Sequence, residues 1–593
     1  MTVPVDSALS AAGRAASVIA DAWARRRKRM PSMKNGAYGA KDASASQQLT
    51  SVGTTSFCGG GSPSRRMGSK TSSRSTRSTR SSTRPVEEYE TDSQLSEILC
   101  LGRYHVAPRA LQDDYVIEDE VLGVGGTGMV KLARSKEEQR SSDTGSGIPQ
   151  RFAVKEAMVA GVKDEERQRM QSEVEIFLRL DHPHITRLYD VYESSEGLQL
   201  VMECMEGGDL FSRLETRRVF SEADAADTAY QILLALNYIH SHGIVHRDLK
   251  LENFMYDSAH GNHLKMIDFG FSRACSKHTR MCQPLGTVPY SAPEVLNRNY
   301  TSQCDLWSLG VIVYTLLAGH MPFPGATQIM MQRIKQGSYH MKHERWRSVS
   351  KEAKSFVKSL MQVDPDRRLS APSALQHAWL GQRRMQSKKI EVHSGVINAL
   401  RDFSYASDFR RCCMMLMAWC LSNEERAAVR QYFLALDRNK HGTIILPELQ
   451  RAMQEAKHGT PEKEVRQMFD ALDFNKDEEI QYSDFLAAML NSRTELSDSL
   501  LYSAFKRFDA DHSGYITVDN VRTVMGHSYC VNKAKALIKE ADHTQDGQIS
   551  YQEFVMYVTG ENGKYKSVIA GGVGKDALHP DLDHAKPACC AIC

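Results

Sequence analysis

Five short motifs in one order constrain this chain more than any other feature. Gly123-x-Gly125-x-x-Gly128 lies between two strand-like runs and leads into Val130, and a further strand ends at Ala153-Val154-Lys155. Then come His246-Arg247-Asp248-Leu249-Lys250-Leu251-Glu252-Asn253, Asp268-Phe269-Gly270 and Ala292-Pro293-Glu294. A glycine triplet alone says little, because dinucleotide-binding turns use a similar one. That turn opens a helix, however, and this one sits between strands with a lysine strand behind it.

Taken together, these motifs make residues from about 115 to 380 resemble the protein kinase family, in the form of its Ser/Thr rather than its Tyr branch. The residue types suit the chemistry. Phosphoryl transfer asks a protein mainly to position groups and neutralise charge, and the backbone of Gly123, Gly125 and Gly128 can close over phosphates where side chains would block them. Lys155 would hold phosphate charge, and Asn253 and Asp268 offer hard oxygens to Mg²⁺. Asp248 would accept or orient the substrate hydroxyl proton, with Lys250 on the transferring phosphate. The resemblance further implies Glu173 as the partner of Lys155, with Glu175 the alternative, and a nucleotide pocket bordered by Val130 and Ala153. It makes Val201–Met205 the hinge, with Met202 as gatekeeper and the backbone of Glu203 and Met205 meeting adenine. Asp209 would meet the ribose or a basic substrate residue, and Glu252 the latter. Glu294 would pair with Arg368, and Asp305 would brace the catalytic loop.

Downstream, acidic loops recur from Asp437, Asp473, Asp509 and Asp542. A calcium-binding EF-hand loop needs oxygen ligands at positions 1, 3, 5, 7, 9 and 12 and a glycine at 6. The fourth loop meets every requirement with Asp542, Thr544, Asp546, Gly547, the Gln548 carbonyl, Ser550 and Glu553. The first offers Asp437, Asn439, His441, Gly442, the Thr443 carbonyl and Glu448, but His441 is an unusual ligand and Ile445 has no side-chain oxygen, so weak binding is expected. The second offers Asp473, Asn475, Asp477, the Glu479 carbonyl and Asp484; Glu478 replaces the glycine and the shorter final Asp484 disfavours bidentate ligation, yet binding is expected. The third has Asp509, Asp511, Ser513, Gly514 and the Tyr515 carbonyl, and its neutral Asn520 makes it the weakest.

A kinase domain joined to four such loops is similar to the calcium-dependent protein kinases of plants and protists. The intervening Val396–Leu421 supports this, since Ile397, Leu400, Phe403, Phe409, Met414 and Trp419 with Arg401, Arg410 and Arg411 make a basic amphipathic pattern like a calmodulin target. In that family such a helix holds the kinase inactive until calcium repositions it. The fold expected is a two-lobed α+β protein kinase fold followed by an all-α calmodulin-like EF-hand domain. The expected division is an extension over 1–113, a kinase domain over 114–380, an autoinhibitory junction over 381–423, a calmodulin-like domain over 424–560 and a tail over 561–593. The expected cofactors are ATP, Mg²⁺ and Ca²⁺. The alternative function is a calcium-sensing scaffold with an inactive kinase domain, against which intact Lys155, Asp248, Asn253 and Asp268 argue.

Outside these regions the chain says less. Lys and Arg (75) nearly balance Asp and Glu (72), so net charge points to no nucleic-acid partner. The 13 cysteines have no zinc-site spacing and suit reduced thiols in the cytoplasm. No secretory signal is recognisable, and the longest apolar stretch, Met414–Leu421, is too short to span a bilayer. Ala8–Met30 reads as a basic helix able to lie on an anionic membrane, act as a presequence, or stay solvated. Ser44–Pro85 is too poor in apolar residues to order. Cys590 begins a C-a-a-X pattern with an atypical last residue, Cys589 could carry a second lipid, and Thr2 excludes N-myristoylation. A monomer acting on basic protein substrates is expected. One departure from the family stands out: between Asp268 and Glu294 there is no Asp or Glu, and Gln283 stands where Arg247 would usually find an anion. Phosphorylation of Ser276 or Thr279, ordering by the calcium-bound block, or low basal activity would each follow, and the second is favoured.

Overall fold

The computed structural model describes residues 103–560 apart from 107, 126–127, 137–149, 159–163, 195–196, 271, 275–279, 282, 284–285, 343, 382–393, 457–459, 494–495 and 526–530. The N-terminal helix, the Ser/Arg-rich stretch, Ser276, Thr279 and the C-terminal cysteines lie outside the described residues.

Extended runs of β-branched and aromatic residues build the small lobe. Its six-stranded sheet comprises β1 (Tyr104–Val106), β2 (Tyr115–Gly125), β3 (Gly128–Ser135), β4 (Arg151–Met158), β5 (Leu188–Glu193) and β6 (Gly197–Glu203), in spatial order β1-β5-β6-β4-β3-β2. Helix α1 (Asp164–Arg179) connects β4 to β5. The sequence places the start of the fold near Tyr115, but order begins earlier. β1 pairs in parallel with β5 and forms the edge of the sheet, and Leu111 is fully buried. A three-residue strand carries no periodicity of its own, so only its partner reveals it.

The large lobe is helical, with α2 (Leu210–Arg217), α3 (Glu222–Ser241), the short strands β7 (Ile244–Val245), β8 (Phe254–Tyr256), β9 (Leu264–Met266) and β10 (Arg273–Ala274), and the central helix α4 (Gln303–Ala318). From Cys304 to Ala318 every residue of α4 is buried, as an all-round apolar helix must be, and Gly319 ends it at φ 75°.

The junction differs from the single amphipathic helix expected. It is two helices, α5 (Ser394–Tyr405) and α6 (Asp408–Cys420), broken before Ser407, whose side chain accepts from the Arg410 amide and caps α6. Both are buried on more than one face, because they share one apolar core with the four EF-hands. Those are built from α7 (Asn423–Leu436), β11 (Ile444–Ile445), α8 (Leu446–Glu455), α9 (Glu462–Leu472), β12 (Glu479–Ile480), α10 (Tyr482–Arg493), α11 (Asp498–Phe508), β13 (Tyr515–Ile516), α12 (Val518–Met525), α13 (Val531–Ala541), β14 (Ile549–Ser550) and α14 (Tyr551–Thr559). β11 pairs with β12 and β13 with β14, so the loops couple two by two.

Candidate active site and calcium loops

The catalytic loop is positioned from below by α4. Asp305, almost fully buried, accepts from the His246 and Arg247 amides (2.9 Å each) and from His240 Nε2 (2.9 Å). This bracing holds Arg247 at φ 70°, a strained setting for a side chain with a Cβ. Asp248 follows, with one carboxylate oxygen accepting from the Thr287 amide and hydroxyl (2.8 Å each) and the other 3.0 Å from Lys250 Nζ. Asn253 Nδ2 donates to the Asp248 carbonyl (2.8 Å), so the two residues move as one. The segment after Thr287 is anchored by Glu294, which receives both guanidinium nitrogens of buried Arg368 (2.6 and 3.0 Å).

Across the cleft, Val130 stands opposite Lys155 in the β3–β4 ladder, and Ala153 opposite Met202 in β4–β6. Gly123 has open space where a Cβ would stand, whereas a Cβ on Gly128 would strike the Glu156 carbonyl. β2 and β3 meet at the Gly125–Gly128 pair. Phe269 is buried against Phe177 of α1 and against His246, which turns Asp268 into the cleft. Lys155 Nζ lies 3.1 Å from Asp268, which also accepts from the Gly270 amide. Burial works against the Asp268 carboxylate, but Lys155, the Gly270 amide and His246 together outweigh it and keep the group below its ordinary range.

The pairing of Lys155 therefore differs from the one implied by resemblance. It closes on Asp268, while Glu173 is half-buried on α1 and Glu175 is exposed. Asp209 differs too. Its carboxylate caps α2 by accepting from the Ser212 amide (2.7 Å) and hydroxyl (2.8 Å), whereas Glu252 remains exposed. Met205, at the hinge, is buried.

Glu203 plays a part the motifs do not announce. Its buried carboxylate receives Lys265 Nζ (2.6 and 2.7 Å) and Arg426 of α7 (2.6 Å). Burial pushes the carboxyl up, but Arg426 and Lys265 together hold it down at about 2. The hinge is thus tied to the first EF-hand. The EF-hand block also docks by Arg507 on Asp190 (3.3 Å), by the Asp181 carboxylate accepting from the Ser483 amide (2.6 Å), and by Asn237 on the Lys440 carbonyl. Trp419, from α6, lies between the guanidinium groups of Arg103 (4.1 Å) and Arg187 (4.4 Å).

The four loops share one frame, in which the first aspartate accepts from the amide of position 6: Gly442 to Asp437, Glu478 to Asp473, Gly514 to Asp509 and Gly547 to Asp542. They differ at position 12. Glu448 spans its loop, accepting from the Arg438 and Asn439 amides (2.8 Å each) and the Ile445 amide (3.1 Å). Glu553 does likewise with Thr544 and Ser550 (2.9 Å each). Asp484 reaches only the Gln481 amide, whereas Asn520 accepts from Thr517 and also bonds the Asp511 carboxylate. The missing methylene leaves the second loop closed at one end, and the missing charge leaves the third spanned by a neutral amide. In the first loop Asp437 is fully buried with one carboxylate oxygen lacking a hydrogen-bond partner, which fits a cation. That geometry lifts the first loop and lowers the second relative to the ranking read from the residues. Glu478 further holds φ 67° where glycine is the rule. The fourth loop keeps its oxygens Asp542, Asp546 and Glu553 together with Gly547 at φ 86°.

Comparison with known proteins agrees with this geometry. The protein kinase domain description matches residues 116–380, and the EF-hand domain pair matches 426–490 and 498–559. Calcium-dependent protein kinase 20 of Oryza sativa subsp. japonica is 35% identical over 439 residues, spanning 73% of this chain and 78% of the relative. Calcium-dependent protein kinases 32 and 12 of Arabidopsis thaliana are each 32% identical, over 77% and 80% of this chain and 84% and 94% of theirs. A cleft with Asp248, Lys250 and Thr287 in register, tied through its hinge to four calcium loops in a chain of this likeness, means that the protein belongs to the calcium-dependent protein kinase family.

Proposed function

We propose that Asp248 orients and takes the proton of a substrate Ser or Thr hydroxyl, that Lys250 steadies the transferring phosphoryl group, and that Lys155 exchanges Asp268 for nucleotide phosphates. Asn253 and Asp268 would hold Mg²⁺, which supplies charge neutralisation at the phosphates. The backbone of Gly123, Gly125, Gly128, Glu203 and Met205 would receive ATP. The observation that carries this reading is the double anchoring of Asp248 by Thr287 and Lys250. With Asp209 engaged in its cap, exposed Glu252 is the carboxylate for a basic residue of the substrate. Regulation is intramolecular: the junction helices are buried with the EF-hands here, so calcium that favours this arrangement keeps them from the cleft.

The test is phosphorylation of a basic Ser/Thr peptide by the full chain with calcium and with chelator. Transfer that requires calcium and is lost in Asp248→Asn supports the reading, whereas a calcium-sensing scaffold would phosphorylate nothing in either condition. The chain acts as a cytoplasmic monomer, with membrane contact through Ala8–Met30 or lipid on Cys589 and Cys590. No helix among the described residues is long and apolar enough to cross a membrane, so such contact would be peripheral. Sedimentation with anionic vesicles and intact-mass measurement of native protein test these points.

A further inference from the structure

Arg103 precedes the span that matches a kinase domain, yet it is buried and touches three separate elements. Its carbonyl accepts from the Val191 amide (2.7 Å), which fixes its main chain against β5. Its guanidinium donates to the Leu188 carbonyl at the start of β5 (2.8 Å) and to the Leu178 carbonyl in the last turn of α1. The same group stands 4.1 Å from the centroid of the Trp419 ring, which α6 carries. The last four carbonyls of a helix have no partner further along it, and a cation beside them also meets the negative end of the helix dipole. Arg103 meets both needs at the end of α1. Phe177, the neighbour of Leu178, holds its ring 5.2 Å from that of Phe269. The turn that Arg103 grips is therefore the turn that seats Phe269, and with it Asp268 opposite Lys155.

We propose that Arg103 is a positioning residue for phosphoryl transfer, which, once Trp419 lies against it, clamps the end of α1 and so sets Asp268 and Lys155 for Mg·ATP. The Trp419 ring covers the guanidinium and attracts its charge, and a hydrogen bond shielded from water holds harder than an exposed one. Without α6 in place, water would reach Arg103 and compete for its two carbonyls. Trp419 meets Arg103 because α6 shares its core with the EF-hands, so the position of the calcium-bound block is read at α1. The coupling needs no long-range field. It runs through touching groups: Trp419, Arg103, the Phe177–Leu178 turn, Phe269 and Asp268. A methionine at 103 would keep the apolar stem but lose the charge and every donor.

The proposal rests on the calcium-dependent transfer proposed above, and wild-type transfer in the same assay tests that reading by itself. The assay uses the full chain, Mg·ATP and a basic Ser/Thr peptide at saturating calcium. Arg103→Met should lower kcat about tenfold. The ATP KM should rise about threefold while the peptide KM changes by less than about twofold, because Asp268 and Lys155 serve the nucleotide. A partly unfolded enzyme would lose kcat alone. Since Arg103 acts together with the docked ring, adding Arg103→Met to Trp419→Ala should cost less than about a further twofold in kcat/KM for ATP. An unchanged ATP KM in Arg103→Met, or losses that multiply in the double variant, overturns the proposal. Should a variant not fold, or wild type transfer nothing, amide exchange of the wild-type chain decides the matter. Protection over Phe177–Leu180 should rise when calcium replaces chelator, and equal protection in the two conditions refutes the clamp.

Discussion

Gly442 shows how much one backbone position can decide. It stands at φ 86° in the first calcium loop, and a Cβ on it would lie 2.6 Å from the ring of Tyr238 in the large lobe and 2.7 Å from that of His182 in the link from α1 to β5. The same glycine therefore serves the loop turn and the docking of the EF-hand block. Gly547, at the matching position of the fourth loop, has nothing near a Cβ. Both alanine substitutions would bear the left-handed strain of about 1–2 kcal/mol, but only Gly442→Ala should undock the block. Amide exchange along α3, which carries Tyr238, is expected to rise in calcium-loaded Gly442→Ala and stay at the wild-type level in Gly547→Ala. Equal protection in the two variants would show that the contact is incidental.

At the scale of the element, the calcium loops separate by how their last residue reaches. Glu448 and Glu553 tie both ends of their loops with a carboxylate, Asp484 ties only the exiting helix, and Asn520 spans its loop without a charge. Glu553→Gln removes a charge from the loop with the most complete ligand set, and should raise the calcium needed for half-maximal activity about tenfold or more. Asn520→Ala loses a helix cap but no ion ligand of weight, and should shift that midpoint less than about threefold. Calcium titration of peptide phosphorylation measures both, and matching midpoints would discard this ranking. The second loop is where residue reading and geometry part. Its acidic composition promises binding despite Glu478 and the shorter Asp484, and the closed loop shows the effect of both, with Glu478 at φ 67° and Asp484 reaching only the Gln481 amide. The junction is a similar case: Ser407 signals a cap in the sequence, yet the run of apolar residues across it reads as one helix until both halves are seen to enter the same core.

At the scale of the whole molecule, regions far apart in the chain converge on Trp419. Arg103 from the extension and Arg187 from β5's approach sandwich its ring, Arg187 also donating to the Ala418 carbonyl (2.7 Å) and Arg103 to the Leu188 carbonyl (2.8 Å). Nearby, Arg426 joins Lys265 on Glu203 at the hinge. Truncating a buried Trp commonly costs about 3–5 kcal/mol, and here the loss would fall on docking. Trp419→Ala is expected to weaken amide protection in β5 and β6 and to lower calcium-stimulated activity, with calcium still bound by the loops. Arg426→Ala should cost about 2–3 kcal/mol, less than an isolated buried charge would, because Lys265 still faces Glu203. Thermal melting of the calcium-loaded full chain checks the second, and an unchanged transition would show that the hinge tie carries no load.

The order and spacing of chemistry-bearing residues along the chain determined the two-part architecture, the catalytic loop and the four calcium loops. These are local patterns: a loop over phosphate or calcium needs given residue types within a dozen positions, so the string itself records them. Asp248 beside Lys250 and Asp542 with Glu553 were legible for that reason. Partnerships between distant residues were not. The ion pair of Lys155 with Asp268, the tie from Glu203 to Arg426, the cations over Trp419, the parallel strand β1 and the bond from Tyr300 to the Gln283 carbonyl each depend on which surfaces meet after folding. A buried charge or hydroxyl takes the partner that tertiary packing leaves within reach, and no local periodicity encodes that choice.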